Sequence, residues 1–252
     1  GGGILELIKA GTIGRRVLNL SLADQRLLLE LFTASAADFL DRRFENETVK
    51  AAFAFDGIVG AYAAPSTPGT AYVLLHHCFG EVNGKPGRWG HAKGGMGAIT
   101  QAMARAAQSR GAIIRVNAPV ERVLVERGRA AGLVLKSGEI VKARAVAANV
   151  GPKLLFRDLI AAGDVDPETR ETFLAIKTGS GTFRMNVALS ELPDFTSRPG
   201  KDLGPHHGSG IVIGPTLSYL ERAYLDARTH GWSREPVVEM LISSTFDRSL
   251  AP

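Results

Sequence analysis

Glycines at positions 94, 95 and 97 are the residues whose type and spacing best suit chemistry in this chain. Glycine lets the backbone take positive φ and lets a large group approach closely. A glycine turn entering a helix N-terminus presents free N–H groups, which suit an anion or the polar edge of a ring. The helix that follows reads from Ala98 to about Ser109, with Ile99, Ala102, Met103, Ala106 and Ala107 at three- and four-residue steps. That spacing gives one small, apolar face. A turn and cap alone would use the same glycines, so both roles stand at this point.

Other candidates are weaker. His76-His77-Cys78 and His206-His207 invite a metal reading. Adjacent helix residues point about 100° apart and do not converge on one ion, and no carboxylate stands at ligand spacing from the second pair. The expectation is structural histidines and no metal. Gly80-Glu81-Val82-Asn83-Gly84-Lys85 imitates a phosphate loop but is one residue short, with Pro86 where a Ser or Thr must hold magnesium. No Gly-x-Ser-x-Gly elbow is present. Asn46-Glu47-Thr48 fits a glycosylation acceptor by pattern alone. No residue declares itself an acid or a base, so catalytic side chains are left unassigned.

The elements that position the glycines read as follows. Gly111 stands where a left-handed residue ends the helix. Ala112-Ile113-Ile114-Arg115-Val116 reads as a short strand. Val120, Val123 and Val125, then Leu133 and Leu135, then Ile140 alternate as a β-meander, with Gly128 and Ser137-Gly138 at the turns. Ala145 to Ala148 is small and continuous, like a strand covered on both faces. Upstream, Ile4 to Leu20 reads as an amphipathic helix interrupted by Gly11 and Gly14. Ser21 and Asp24 form a capping box for a helix whose stripe is Leu27, Leu28, Leu31, Phe32, Ala36, Phe39 and Leu40. Another helix follows Asn46, with Val49, Phe53 and Ile58 inward. Pro65 to Gly69 is a turn cluster, Tyr72 to Phe79 is helix or strand, and Gly80 to Gly90 is loop. Downstream, helices are expected over Lys153 to Ile160, Pro167 to Ile176 and Leu217 to Arg228, with a loop from Leu192 to Gly208. Strands are expected over Thr182 to Leu189, Ile211 to Ile213 and Val237 to Ile242. Phe183, Met185 and Met240 could line an apolar substrate cavity or simply pack a core.

Composition narrows the class. The chain has 252 residues, 45% of them hydrophobic, which is a globular composition. A net charge of +5 comes without a long Lys/Arg block, so solvated arginines are expected rather than a nucleic-acid or membrane surface. Cys78 is the only cysteine, which excludes an internal disulfide and fits a reducing compartment. No apolar run approaches the ~20 residues that span a bilayer, and no signal peptide is visible.

Several words in order resemble the flavin-dependent phytoene dehydrogenase-like oxidoreductases, a branch of the amine-oxidase-type FAD enzymes. They are Gly94-Gly95-Met96-Gly97-Ala98-Ile99, Gly111-Ala112-Ile113-Ile114, Pro119-Val120 and Ala148-Asn149-Val150-Gly151-Pro152. Ser66 to Thr70, Tyr72 to His77 and Ser243 to Pro252 also look like the subgroup of pyridine nucleotide-disulfide oxidoreductase domain-containing protein 2. The resemblance implies a mixed α/β fold, with a partial Rossmann-like FAD-binding region carrying an inserted β-meander beside a helical and mixed-sheet substrate domain. It implies a helix over Tyr72 to Phe79. It implies that Gly94, Gly95, Met96 and Gly97 lie near the isoalloxazine ring, that Val120 holds the adenine end by its backbone, and that Asn149 and Gly151 return beside the cofactor. For Val120 a plain core role remains equally open.

The family opens with a Gly-x-Gly-x-x-Gly turn and closes with a Gly-Asp segment against the flavin. The opening turn does not occur here; Gly179-Ser180-Gly181 meets Arg184 and Gly208-Ser209-Gly210 meets Ile213 where the third glycine belongs, and the chain stops at Ala251-Pro252 before the closing segment is expected. The expectation is therefore a central fragment. Residues 1–87 would be the helical part of the substrate domain, 88–152 an FAD-binding segment and 153–252 a mixed α/β substrate domain. The implied activity is hydride transfer from an apolar or amine-type small molecule to FAD, in the cytoplasm or a mitochondrial matrix, with no nucleic-acid partner and no membrane-spanning segment. The alternative is a non-catalytic binding or scaffold module that keeps the fold.

Overall fold

A computed structural model describes residues 4–251. In chain order its main elements are helices α1 (Ile4–Leu18), α2 (Leu22–Thr33), α3 (Ala36–Asp41), α4 (Glu47–Ile58) and α5 (Thr70–His76), then strands β1 (Glu81–Val82) and β2 (Lys85–Pro86). Helix α6 (Gly95–Gln108), strands β3 (Val120–Glu126), β4 (Arg129–Leu135) and β5 (Ile140–Lys142), and helices α7 (Pro152–Leu154) and α8 (Pro167–Leu174) follow. Strand β6 (Ile211–Ile213), helix α9 (Leu217–His230) and strand β7 (Val238–Met240) complete the list. The fold is mixed helix and strand. The chain divides into two compact units, one of residues 1–98 with 180–252, the other of residues 99–179.

The first unit is built on short helices with explicit caps. Ser21 caps α2, its hydroxyl accepting the Asp24 N–H at 3.1 Å and donating to the Asp24 carboxylate at 2.7 Å. The same device recurs at Ser35 and Asp38, at 3.0 and 2.7 Å, and starts α3. Sequence periodicity reads one helix through Leu40, whereas the chain breaks at Ala34. The reason is capture of the Ala34 carbonyl, which accepts the N–H of Gly69 at 2.9 Å and of Ala71 at 3.3 Å. The Thr70 hydroxyl also accepts the Ala36 N–H at 2.8 Å. The Pro65 to Gly69 turn thus docks on the α2–α3 break. In contrast, Gly11 and Gly14 do not interrupt α1; each costs a helix only about 1 kcal/mol.

Helix α4 starts at its expected cap, Asn46, which accepts the Val49 N–H at 3.0 Å. Its inward face is not the one the bulky residues imply. Val49 and Phe53 are exposed, and Lys50, Ala51, Ala54 and Gly57 are buried. Small residues let the neighbours approach: a Cβ added to Gly57 would stand 2.8 Å from the Ala36 Cβ and 3.3 Å from the Thr70 carbonyl. Phe53 instead stacks on Phe44, with centroids 5.4 Å apart. Buried Lys50 is paired with Asp41 at 2.7 Å and with Glu47. The core of this unit is Leu40, Ala51, Ala54 and Leu220 of α9. Each buried leucine contributes about 1.5–3 kcal/mol. Thr216 caps α9, and Gly231, with φ of 85°, ends it. Strands β6 and β7 pair antiparallel through Val212 and Glu239.

The second unit contains the expected meander, in antiparallel order β3-β4-β5. Arg127 and Gly128, with φ of 53° and 73°, make the tight turn between β3 and β4; two positive φ values match the twist of a two-residue hairpin. Gly138 (φ 86°) turns β4 into β5. Phe156 stacks on Phe173 at 4.2 Å and joins α8 to a π-helical turn at Leu155–Leu159. Gly111 ends α6 in the left-handed region, as its position predicts.

Three expected strands do not form among the described residues. Residues 112–116, 145–148 and 182–189 lie in no ladder. A strand is completed only by a hydrogen-bonding neighbour, and these residues have none on either side. Ile113 is 88% exposed, and Ala145 to Ala148 are mostly exposed rather than covered on both faces. The expected loop of 80–90 holds a small hairpin instead, turned by Asn83 and Gly84 at φ of 52° and 73°.

Candidate functional site

The glycine turn lies at the start of α6. The Gly95 N–H donates to the Ala92 carbonyl at 2.8 Å, closing a four-residue turn. Gly94 and Gly95 have φ of 80° and 73°, which only glycine adopts at little cost. A Cβ on Gly94 would sit 3.1 Å from the Ala98 Cβ, and one on Gly95 the same distance from the Leu250 Cδ2. At Gly97 an added Cβ would meet nothing within 4 Å. Met96 is 75% exposed, and Ile99 and Met103 are exposed along the same helix. The small apolar face read from the sequence is therefore uncovered.

One group occupies the turn that sequence reasoning did not assign. The Gly94 N–H donates to the Asp247 carboxylate at 2.6 Å. Asp247 is 9% exposed and also accepts the Ser249 hydroxyl at 2.6 Å and the Ser249 N–H at 3.1 Å. Chiefly the Ser249 hydroxyl, then the Gly94 N–H, hold its carboxyl below the usual carboxylate range, against burial, which pushes it up. His91 acts in the same direction as these donors, and its ring lies 6.0 Å from that of Phe246. The free N–H expected at Gly94 is thus already used. Ser243 to Pro252 stands out in the sequence as a family word, but nothing local links Asp247 to a turn 153 residues away.

The remaining site residues fall as follows. Val120 opens β3 opposite Leu135 and is half-buried. Asn149 and Gly151 are exposed; Gly151 precedes α7, with φ of −55° and open space where a Cβ would go. These three belong to the second unit, and Gly94 to Gly97 to the first. Phe183 and Met185 sit at 88% and 70% exposure on the unpaired 182–189 segment. Met240 is half-buried at the end of β7, opposite Ile211.

His77 and His207 have local hydrogen-bond partners, whereas both ring nitrogens of His206 are buried without one among the described residues. His77 Nδ1 lies 2.9 Å from the Val73 carbonyl, and the His77 ring stacks on Trp89 at 5.6 Å. His207 is fully buried; its Nδ1 accepts the Gly204 N–H at 3.1 Å, so its Nε2–H donates to the Pro193 carbonyl at 2.9 Å. Burial first, then His207 and Arg198, depress the His206 pKa. Among the described residues no cluster of three or more His, Cys, Asp or Glu is placed to hold a metal. Nor is any described helix long and apolar enough to cross a membrane. One open cleft beside the end of α9 is lined by Arg222, Asp226, Ser233 and Arg234, but Asp226 is spent on Arg234 through contacts of 2.7 to 3.1 Å.

The sequence model of the flavin-containing amine oxidoreductases matches residues 11–173. The chain belongs to that family. Within it, the chain is 37% identical to mouse pyridine nucleotide-disulfide oxidoreductase domain-containing protein 2, over 88% of its own length and 39% of the relative's. It is 36% identical to a zeta-carotene-forming phytoene desaturase of Myxococcus xanthus, over 54% of the chain and 26% of the desaturase. It is 33% identical to a zebrafish protein named inactive all-trans-retinol 13,14-reductase, over 55% of the chain and 23% of that protein. The chain thus spans about two-fifths of the length of the mouse protein and of its rat counterpart. No solved structure matches it.

Proposed function

We propose that this chain supplies the glycine-turn side of a flavin site in an FAD-dependent, phytoene dehydrogenase-like oxidoreductase. Its substrate would be an apolar or amine-bearing small molecule, oxidised by loss of a hydride to the flavin. The observation that carries this reading is the turn itself: a family glycine cluster with Gly94 and Gly95 in left-handed conformation and an exposed apolar helix face beside it. Those features fit a flat ring, which needs close backbone approach and an apolar neighbour. They do not fit a pyrophosphate, because the Gly94 N–H is taken by a carboxylate. When bound, FAD supplies the two-electron acceptor, and the protein's part is to position and keep dry. Gly94, Gly95, Met96 and Gly97 would face the ring, Val120 would hold the adenine end, and Asn149 with Gly151 would line the returning segment. Phe183, Met185 and Met240 are assigned to the substrate side. Residues 1–87 and 153–252 serve the substrate and 88–152 the cofactor, in a cytoplasmic or mitochondrial-matrix protein.

Purifying the product of the whole reading frame tests this. Bound flavin, and a rise in thermal stability on adding FAD worth about 2.7 kcal/mol at a hundredfold excess over Kd, are expected. A colourless product indifferent to FAD would reject the reading. The 252-residue chain alone should hold FAD weakly, since the pyrophosphate turn is not among its residues. A second reading, a binding module without redox activity, is favoured by the likeness to the zebrafish protein named inactive. Flavin bound but not reduced by any apolar or amine substrate would favour it.

A further inference from the structure

We infer that Asp247 is the positioning residue of the glycine turn, its carboxylate holding Gly94 in one conformation and making the start of α6 favourable to a neutral ring and unfavourable to a phosphate. The cofactor half of this inference rests on the function proposed above; the clamp itself does not.

Residues 94 and 95 are both glycine, the residue that loses most backbone freedom on ordering. Left-handed glycines in tandem need something outside the turn to select one conformation. Segment 246–250 provides it at three points. Asp247 accepts the Gly94 N–H at 2.6 Å. Leu250 packs against Gly95, its Cδ2 3.1 Å from where a Cβ on that glycine would stand. Phe246 lies beside His91. Asp247 is itself held by both donors of Ser249, so its aim is fixed before Gly94 meets it. A charge-assisted bond from a nearly buried carboxylate is among the stronger contacts a backbone N–H can make.

The same carboxylate sets the ligand class. It places a negative charge at the N-terminus of α6, where an incoming phosphate would otherwise gain from the helix dipole. Like charge now opposes that anion. A neutral ring meets no such opposition.

Asp247→Ala, Asp247→Asn and Ser249→Ala, each in the 252-residue chain and in the product of the whole reading frame, supply the test. Hydrogen exchange at residues 91–97 reads the clamp, and FAD titration reads the cofactor. Asp247→Ala should speed exchange at Gly94 about tenfold or more and weaken FAD by a similar factor. Asp247→Asn, which keeps an acceptor, should recover part of both, and Ser249→Ala should lose less than either. Wild-type protection at Gly94 should fall as pH drops below the ordinary aspartate range, whereas Asp247→Asn should show no such step. Unchanged exchange in Asp247→Ala overturns the clamp. Faster exchange with wild-type FAD affinity overturns the positioning role. A wild-type product that takes no flavin rejects the cofactor half and the proposed function, while the exchange data still decide the clamp. If Asp247→Ala does not fold, Asp247→Asn and its pH profile decide both points in its place.

Discussion

Two glycines of the first unit show opposite uses of a missing side chain. Gly57 is buried in α4, and a Cβ there would collide with Ala36. Gly97 is on the first turn of α6, and among the described residues a Cβ there would meet nothing within 4 Å. The first lacks a side chain because the protein's own helices fill the room. Beside the second, no described residue fills the room a side chain would take, so its lack of one has a different cause. What a methyl would touch separates the two roles where composition does not.

The contrast can be broken in several ways. Gly57→Val should destabilise the helical unit by about 1–3 kcal/mol, the usual cost of overpacking, read as a lower denaturation midpoint. A neutral result would mean that α3 and α5 yield easily. Gly97→Ala should leave the fold intact or stabilise α6 by about 0.5–1 kcal/mol. It should nevertheless weaken FAD about tenfold in the whole product, since a methyl would intrude on a filled contact. Unaltered FAD binding would remove the case for Gly97. Ser35→Ala should cost about 1 kcal/mol through loss of the α3 cap, and less if the Thr70 bond to Ala36 is sufficient by itself.

The smallest effect concerns acid. Hydrogen bonds from the Arg234 side chain and N–H hold the Asp226 carboxyl far below its ordinary value. A depressed folded pKa stabilises above the unfolded value, near ~3.9, and that contribution is lost as pH falls. Asp226→Asn should therefore flatten the stability curve below about pH 4 and leave neutral behaviour little changed. An unchanged acid limb would show the pair to be idle.

Features with local causes were legible in the sequence. The caps at Ser21 and Asn46, the turns at Gly128 and Ser137-Gly138, the end of α6 at Gly111 and the meander all follow from neighbours a few residues away. What failed depends on distant groups. The break at Ala34 needs Gly69 and Ala71, and the phase of α4 needs the close approach of Ala36, which rewards Ala51, Ala54 and Gly57 over Val49 and Phe53. Residues 112–116 and 145–148 have strand composition but no ladder partner among the described residues. At the candidate site the glycine turn was readable from its types and spacing. Its clamp was not, because Asp247 lies far along the chain and belongs to no motif with a known geometry.

The shared acceptor at Ala34 has a consequence for how the helical unit comes apart. Because one carbonyl receives two amides from the start of α5, and Thr70 in turn ties off α3, none of these pieces can fray without releasing the others. The end of α2, the whole of α3 and the proline turn should open as one foldon, with matching exchange rates at Ala36, Ala37, Gly69 and Ala71.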